Sequence, residues 1–466
     1  MSVVVGVDSS TQSCKVLTVD AASGEVITAG AAAHPDLTAV DPRIWTGALK
    51  DAWRKAGADS LGSSVAGAGI AAQQHGMVAL DSSRTPVHDA LLWNDTGSAP
   101  DAARLRDELG SEAWVDAVNL VPVASFTISK LAWLARNRPE AAARVDQVVL
   151  PHDWLNGALG GDFSTDRSDA SGTGYFSPVT NSYRTDLLER FFGRVPNLPR
   201  VVASHEQAGT VRGGWGIDGA VLAAGAGDNA AAALGLGLRP GEVVVSIGTS
   251  GTVFTSTESA TRDQTGSIAG FADAAGGHLP LLAMLNSARV MAATAAMLDV
   301  DLARLDDLAQ RADRDAGGLT FIPYLDGERS PDLPNSNGSL AGLTRANMTP
   351  ENLARASVLG VLNSLADAVD VLKRSGGAPD KVLLIGGGSK SQALRQAAAS
   401  IFNLPVEVPA TREYVALGAA RQAAWAASGE LPDWSRKIDA AYEPDGDWGL
   451  AVRERYAEAR KAFYGV

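Results

Sequence analysis

The sequence predicts an α/β fold built from two related domains, and three observations support this. The chain opens with a strand–loop–strand unit, in which VVVGV ends at Asp8 and a polar loop leads into a second apolar run. A unit of the same kind, GEVVVSIGTSGTVFT, occupies residues 241–255 and indicates an internal repeat. Between them, short apolar runs alternate with helical patterns, which is typical of α/β proteins.

The length and composition limit what the chain can do. A chain of 466 residues is too long for a single hydrophobic core, so more than one domain is expected. The Gly- and Pro-containing stretch GLGLRPG separates a predicted N-terminal domain, residues 1–238, from a C-terminal domain, residues 239–466. The net charge of −13 opposes nucleic-acid binding. A single cysteine, Cys14, excludes an intrachain disulfide and fits a reducing compartment. Neither a signal peptide nor an apolar run of about 18 residues is present, so we expect a cytoplasmic protein without a membrane partner.

The elements of the N-terminal half follow in order. Alternating character over 13–20 and a turn cluster ending at Gly24 predict an antiparallel meander of three strands. Helical patterns cover 42–56 and 98–109, and VAGAGIAAQ at 65–73 predicts a buried strand.

Two strand-to-helix turns stand out later in the chain. In AVLAAGAGDNAAAALG a strand is followed by a Gly-rich bend and by Asp228 at the start of an Ala-rich helix. In DKVLLIGGGSKSQALRQAAASIF a strand is followed by three glycines and an amphipathic helix. The polar and charged stretch 430–466 ends in a helical pattern, AVRERYAEARKAFYG at 451–465, and no chemistry is assigned to it.

Two hairpin loops and one Gly-rich turn are candidate phosphate sites. The loop after Asp8 offers backbone N–H groups and hydroxyls, Lys15 adds charge, and Asp8 can hold Mg²⁺. The loop Gly248–Gly251 combines glycines with two hydroxyls, and the glycines at 386–388 open a helix, where a nucleotide can approach closely. A solvated turn, a tight hairpin turn and a plain strand–helix turn are the respective structural alternatives.

Asp228 is the candidate for general-base catalysis. A carboxylate at a helix start, after a Gly-rich bend, can accept a proton from a substrate hydroxyl. The alternative is a helix N-cap, which Asp performs well, and the two roles can coexist.

Two polar segments that follow apolar strands suit a sugar. QQHG, with Gln74 and His75, and WND at 93–95 offer donors, acceptors and a flat apolar face. His75 is alternatively a structural turn histidine. Three further aspartates, at 153, 166 and 169, are either loop caps or supporting polar groups, and the sequence does not separate these roles.

Taken together, these segments resemble the FGGY carbohydrate kinases, and most closely the xylulose kinases among them. The matching stretches include VGVDSSTQSCK, GIAAQQHGMVALD, LLWNDTGS, GAGDNAAAALGLG, SIGTSGTVF, FIPYLDGERSPD and VLLIGGGSKSQALRQ, in family order over about residues 3–425. The resemblance implies two ribonuclease-H-like (actin-like ATPase) α/β domains with ATP and sugar in the cleft between them. It implies ATP-dependent phosphorylation of a ketopentose, with D-xylulose as the expected substrate.

The resemblance also implies roles for individual residues. Catalysis and Mg²⁺ binding fall to Asp8 and Asp228. The implied sugar contacts are Gln74, His75, Trp93, Asn94, Asp95, Asp228 and Asn229. The implied ATP contacts are Ser10, Thr11, Gln12, Lys15, Gly248, Thr249, Ser250, Gly251, Gly387, Gly388 and Ser391. A homodimer is a further expectation for an acidic kinase of this size.

Three alternatives stay open at this point. The first is a kinase of the same fold that acts on ribulose, gluconate or another polyol. The second is an actin-like ATPase without sugar kinase activity, and the third is a sugar sensor without catalysis. The WND and QQHG segments argue against the ATPase, because they have no obvious use without a small polar ligand. The presence of both Asp8 and Asp228 argues against the sensor.

Overall fold

A computed structural model describes residues 2–466. The strands within this range are β1 Val3–Ser9, β2 Ser13–Asp20, β3 Val26–Ala33, β4 Ala39–Val40, β5 Val65–Ala72, β6 Val78–Leu80, β7 Ala90–Leu91, β8 Gln147–Val149, β9 Ser164–Asp166, β10 Phe176–Ser177, β11 Ser182–Tyr183, β12 Arg200–Val202, β13 Gln207–Thr210, β14 Val221–Ala223, β15 Ala226–Gly227, β16 Glu242–Ile247, β17 Gly251–Thr255, β18 Ala269–Ala272, β19 His278–Met284, β20 Thr320–Ile322, β21 Ser339–Ala341, β22 Lys381–Ile385, β23 Val406–Pro409 and β24 Ile438–Tyr442.

The α-helices of the same range are α1 Arg43–Lys55, α2 Ala99–Leu109, α3 Ser111–Val118, α4 Thr127–Asn137, α5 Pro139–Arg144, α6 Pro151–Gly160, α7 Arg167–Ala170, α8 Thr185–Phe192, α9 Asp228–Leu236, α10 Ala288–Met297, α11 Leu302–Arg311, α12 Pro350–Arg374, α13 Gln392–Phe402, α14 Tyr414–Ser428 and α15 Trp448–Tyr464. The predicted helices at 42–56 and 98–109 are confirmed within one residue at each end. The terminal helix predicted over 451–465 is also confirmed, although it begins three residues earlier, at Trp448. Among residues 2–466, no helix is both long and apolar enough to cross a lipid bilayer.

The chain divides into two compact units. The first contains the chain up to Leu238 together with 257–279 and 412–435, and the second contains 239–256, 280–411 and 436–466. Two segments of the predicted C-terminal domain, 257–279 and 412–435, therefore pack with the first unit. The assignment of sugar binding to residues 1–238 and of nucleotide binding to residues 239–466 stays a prediction.

The first unit is organised by a sheet with the strand order β13-β14-β5-β1-β2-β3, in which β15 also pairs with β5. The predicted meander is confirmed, since β2 pairs antiparallel with both β1 and β3. Strand β5 runs parallel to β1, β14 and β15, which leaves the carboxyl ends of β1, β5 and β15 at one edge.

Helices cover both faces of this sheet because its strands are apolar on both sides. On one face, Trp45 and Trp53 of α1 pack in a core with Val7 and Ile70. On the other face, the Ala- and Gly-rich helix α14 lies unusually close, because a Cβ at Gly6 would stand 2.0 Å from the carbonyl oxygen of Ala416. The absence of a side chain at Gly6, which faces Ala416 and Ala420, is what allows α14 to pack directly on β1.

The second unit repeats the same arrangement. Its sheet contains β19-β17-β16-β22-β23-β24 in that order, and β16 forms a hairpin with β17 while pairing in parallel with β22. This is the relation that β1 has to β2 and β5, so the repeat predicted from 241–255 is confirmed. Helix α12, which has 25 residues and a largely buried surface, supports this sheet.

Candidate functional site

Asp8 and Asp228 lie at the same sheet edge, on either side of β5. Asp8 of β1 lies opposite Ala71 of β5, and Ala226 of β15 lies opposite the same residue on its other side. Asp228 follows two residues after Ala226 and begins α9. Because ligands of α/β proteins bind beyond the carboxyl ends of parallel strands, this edge is the candidate site of the first unit.

The two carboxyl groups resist ionisation. Burial raises the pKa of Asp8 to about 6, although a hydrogen bond from the Ser10 hydroxyl and the charge of Lys15 oppose the shift. Burial, followed by the negative charge of Asp8, raises the pKa of Asp228 to about 7. The backbone and side-chain N–H groups of Asn229 donate to Asp228 Oδ1 at 2.8 and 2.9 Å and partly offset this. A bound cation would reduce the electrostatic repulsion between the two carboxylates.

The free carboxylate oxygens test whether Mg²⁺ fits here. In the hydrogen bonds just described, each carboxylate accepts through its Oδ1 atom. Hard cations prefer carboxylate oxygens, so this pair has the donor chemistry for Mg²⁺.

The predicted phosphate loop of the first unit is tied to the WND segment. The Thr11 hydroxyl oxygen accepts a hydrogen bond from the Trp93 indole at 2.8 Å, while Gln12 is exposed. Lys15 is paired with Glu413 at 2.6 Å, and this carboxylate hydrogen bond, together with Asp8 and Glu413 charges, raises the pKa of the lysine although burial opposes it. The charge of Lys15 is therefore shared with a carboxylate that the sequence analysis did not identify.

Gln74 and His75 form an ordered turn at the end of β5. Gln74 Nε2 donates to the backbone oxygen of Ser168 at 3.1 Å. His75 has a left-handed backbone (φ 70°), its Nδ1 lies 2.8 Å from the carbonyl oxygen of Gly172, and its ring packs edge-on against Phe126. These contacts give His75 a structural role in the turn, and its contact with sugar stays a prediction.

The remaining WND side chains differ in what they offer. Asp95 accepts hydrogen bonds from the Gly97 N–H at 2.9 Å and from the Thr38 hydroxyl at 3.2 Å, so both its oxygens already have protein partners. The Asn94 Oδ1 atom is buried and accepts no hydrogen bond within the described range. Of the two, Asn94 has the greater capacity left for a ligand.

Lys130 is a residue of this region that the sequence analysis missed. Its side chain is fully buried in α4, and its Nζ donates at 2.7 Å to the backbone oxygens of His75 and Ser125. Burial lowers the pKa of Lys130 well below its ordinary value. A lysine within a helical pattern ordinarily indicates a solvent-facing position, so only the tertiary structure identifies it as a support of the His75 turn.

The three aspartates that the sequence left unassigned have distinct environments. Asp166 caps α7, where its carboxylate accepts from the N–H groups of Ser168 and Asp169. Asp153 lies 3.0 Å from His152 Nδ1, and the other ring nitrogen of this histidine lies 2.9 Å from a carbonyl oxygen. Asp169 is fully buried, neither carboxylate oxygen has a hydrogen-bond partner in the described range, and burial with the nearby acidic charges raises its pKa well above the ordinary value.

In the second unit, the predicted nucleotide loops meet at the ends of β16 and β22. The Gly248 N–H donates to the backbone oxygen of Ser250 at 3.0 Å, which closes the predicted loop through Thr249 to Gly251. A Cβ at Gly388 would lie 2.2 Å from the side chain of Ile247, so the Gly-rich turn packs tightly beside this loop. A Cβ at Gly387 would meet no atom within 4 Å, which leaves room for a ligand on that side.

Two local predictions need correction. The N-cap of α9 is Gly227, Asp228 is its first residue, and the Asp228 side chain caps no turn, so the N-cap alternative is wrong. The glycines at 386–388 lead into a 3₁₀ turn, Gly387–Lys390, before α13 begins. Ser391 is the N-cap of α13, where its hydroxyl accepts from the Leu394 N–H and donates to Asp306.

Comparison with known proteins shows the family. Residues 3–235 match the N-terminal domain of the FGGY family of carbohydrate kinases, and residues 243–427 match its C-terminal domain. A xylulose kinase from Streptomyces coelicolor is 45% identical over 92% of this chain and 88% of its own. The crystal structure of xylulose kinase from Bifidobacterium adolescentis is 42% identical, covers 98% of this chain and 99% of its own, and has a TM-score of 0.90.

A more distant structure shows the likeness of fold alone. Glycerol kinase from Plasmodium falciparum is 19% identical, covers 100% of this chain and 98% of its own, and has a TM-score of 0.89. The two sheet-centred units thus have the actin-like ATPase fold that the sequence predicted. With both domains matched over most of its length, the chain belongs to the FGGY family of carbohydrate kinases.

Proposed function

We propose that this protein transfers the γ-phosphoryl group of ATP to the terminal hydroxyl of a ketopentose, converting D-xylulose to D-xylulose 5-phosphate. The observation that carries the proposal is the pair of carboxyl groups of Asp8, which is buried, and Asp228, which is half-buried, at one sheet edge beside Gln74. The names of the similar proteins, which are xylulose kinases, support D-xylulose as the sugar.

Asp228 is proposed as the general base. Phosphoryl transfer depends mainly on positioning and charge stabilisation, and the base orients the attacking hydroxyl and accepts its proton. A pKa of about 7 suits this task, because a base is most effective when its pKa lies near the working pH. Asn229, which holds Asp228 Oδ1 through two hydrogen bonds, leaves the other oxygen for the sugar hydroxyl.

Asp8 is proposed to hold Mg²⁺, with Asp228 as its neighbour in the same acidic pair. When bound, Mg²⁺ would neutralise negative charge on the phosphates and on these two carboxylates. The loop Ser10–Gln12 is proposed to meet the phosphates. The glycines of the second unit, at 248, 251, 387 and 388, are proposed to contact ATP because backbone N–H groups there can approach its phosphates closely.

The test is ADP release from ATP and Mg²⁺ by the purified protein with D-xylulose, D-ribulose, L-ribulose, gluconate or glycerol. Stimulation by D-xylulose above the other sugars is the expected result. Stimulation by another sugar of the panel would overturn D-xylulose as the proposed substrate but would support the phosphotransferase activity. ADP release that no sugar stimulates would overturn the kinase proposal and favour an ATPase.

Two properties of the whole protein accompany this proposal. We propose a cytoplasmic location, in keeping with the single cysteine, which is buried, and with ATP as the donor. A homodimer is proposed from the size and acidity of the chain, and light scattering of the purified protein would test it directly.

A further inference from the structure

Ser168, at the centre of the short helix α7, joins two parts of the site. Its hydroxyl oxygen accepts a hydrogen bond from the Gly227 N–H at 3.0 Å, and Gly227 immediately precedes Asp228. Its backbone oxygen accepts from Gln74 Nε2 at 3.1 Å. Ser168 therefore contacts both the backbone just before the proposed base, at Gly227, and the side chain of Gln74, which is a proposed sugar contact.

Asp166 fixes the orientation of Ser168. The Asp166 carboxylate accepts from the Ser168 hydroxyl at 2.6 Å and from the Ser168 N–H at 2.7 Å. Both residues are completely buried. Because the hydroxyl hydrogen points to Asp166, a lone pair of the same oxygen is directed at the Gly227 N–H.

The packing around Ser168 leaves no room for adjustment. A Cβ at Gly227 would lie 2.6 to 2.7 Å from three atoms of the Gln74 side chain. Gln74 and Gly227 are thus in direct contact, and each is also hydrogen-bonded to Ser168. A displacement of one of the three residues must move the other two, since a close-packed interior transmits small shifts.

We propose that Ser168, oriented by Asp166, is a positioning residue that sets the direction of the Asp228 carboxylate and couples it to Gln74. This inference rests on the proposed role of Asp228 as the base. A base must stand within hydrogen-bond reach of the hydroxyl it deprotonates, and a misplacement of about 1 Å can cost about 100-fold in rate. Without the Ser168 hydroxyl, the buried Gly227 N–H loses its acceptor, and the start of α9 is no longer fixed.

Ser168→Ala tests the proposal, with Ser357→Ala as its matched control. Ser357 is also a fully buried helical serine, and its hydroxyl donates to the Ala354 backbone oxygen at 2.8 Å, far along the chain from this site. We expect Ser168→Ala to lower kcat with sugar by about 10- to 100-fold. ATP hydrolysis without sugar, which does not use the base to orient a hydroxyl, stays within about twofold of wild type. The control retains wild-type kcat.

A double-mutant comparison distinguishes positioning from general destabilisation. If Ser168 acts through Asp228, adding Ser168→Ala to Asp228→Asn lowers the residual turnover no further. A fully additive loss would overturn the proposal, as would a Ser168→Ala enzyme whose kcat stays within about twofold of wild type. If Ser168→Ala does not fold, Asp166→Asn, which keeps size and disturbs the same hydroxyl, takes its place. A wild-type enzyme inactive on every sugar would instead refute the proposed function, which separates the two failures.

Discussion

Replacing Asp228 by Asn should make the protein more stable and less active. The folded protein raises the pKa of this carboxyl from its ordinary value of 3.8 to about 7, chiefly by burial and then through the charge of Asp8. The folded state consequently binds the proton more tightly than the unfolded state. The stabilisation from the protonated form is fully present below about pH 4 and is lost as the pH rises through about 7.

The size of the effect follows from these two values. The difference between 3.8 and about 7 corresponds to an upper value of about 4 kcal/mol, because one pKa unit equals about 1.4 kcal/mol. Asp228 keeps partial contact with solvent, which screens its charge, so we expect a net gain of about 1–2 kcal/mol for Asp228→Asn above pH 7. The gain should shrink towards zero as the pH falls to about 4, where both side chains are neutral.

Urea unfolding of both proteins over about pH 4 to 8, followed by circular dichroism, measures this difference. In parallel, a coupled ADP assay should show a loss of about 10²- to 10⁴-fold in kcat, equal to about 3–5 kcal/mol of transition-state stabilisation. The wild-type kcat/KM for sugar should rise with pH through an apparent pKa near 7. A stability difference that does not depend on pH would refute the electrostatic reasoning, and near-normal turnover of Asp228→Asn would refute the catalytic role.

Two further predictions concern the support of the site. Gly225→Ala places a Cβ 1.8 Å from His152 Nε2 at a left-handed φ of 84°, so it should cost more than about 3 kcal/mol of unfolding free energy. Gly161→Ala, at φ 87° with nothing within 4 Å, should cost only about 1 kcal/mol, and equal urea midpoints for the two variants would contradict this. Lys130→Met should cost about 1–3 kcal/mol and should raise the KM for sugar. The Ser125 backbone oxygen loses its donor, and the His75 oxygen keeps only the Thr127 hydroxyl at 3.2 Å. An unchanged KM would show that the turn at the end of β5 does not depend on this lysine.

The sequence alone determined the local architecture and the principal acidic residues. The strand–loop–strand units, the first helices and the turn before Asp228 were predictable, because hydrophobic period and Gly content act over a few neighbouring residues. Asp8 and Asp228 were identified for the same reason, since Asp8 ends an apolar run and Asp228 follows the Gly-rich bend after another. Their high pKa values were not predictable, because burial and mutual repulsion depend on the pairing of β1 and β15 with β5.

Only the tertiary structure decided which distant residues complete the first unit and its site. Helix α14 lies about 400 residues after β1 in the chain, yet it packs on β1 because Gly6 leaves room for its backbone. Lys130 and Ser168 have no sequence signal of function, since buried lysines and serines look like ordinary helix residues until their partners are known. Local patterns report what a segment can form, whereas burial and hydrogen-bond partners arise only when segments far apart in the chain meet.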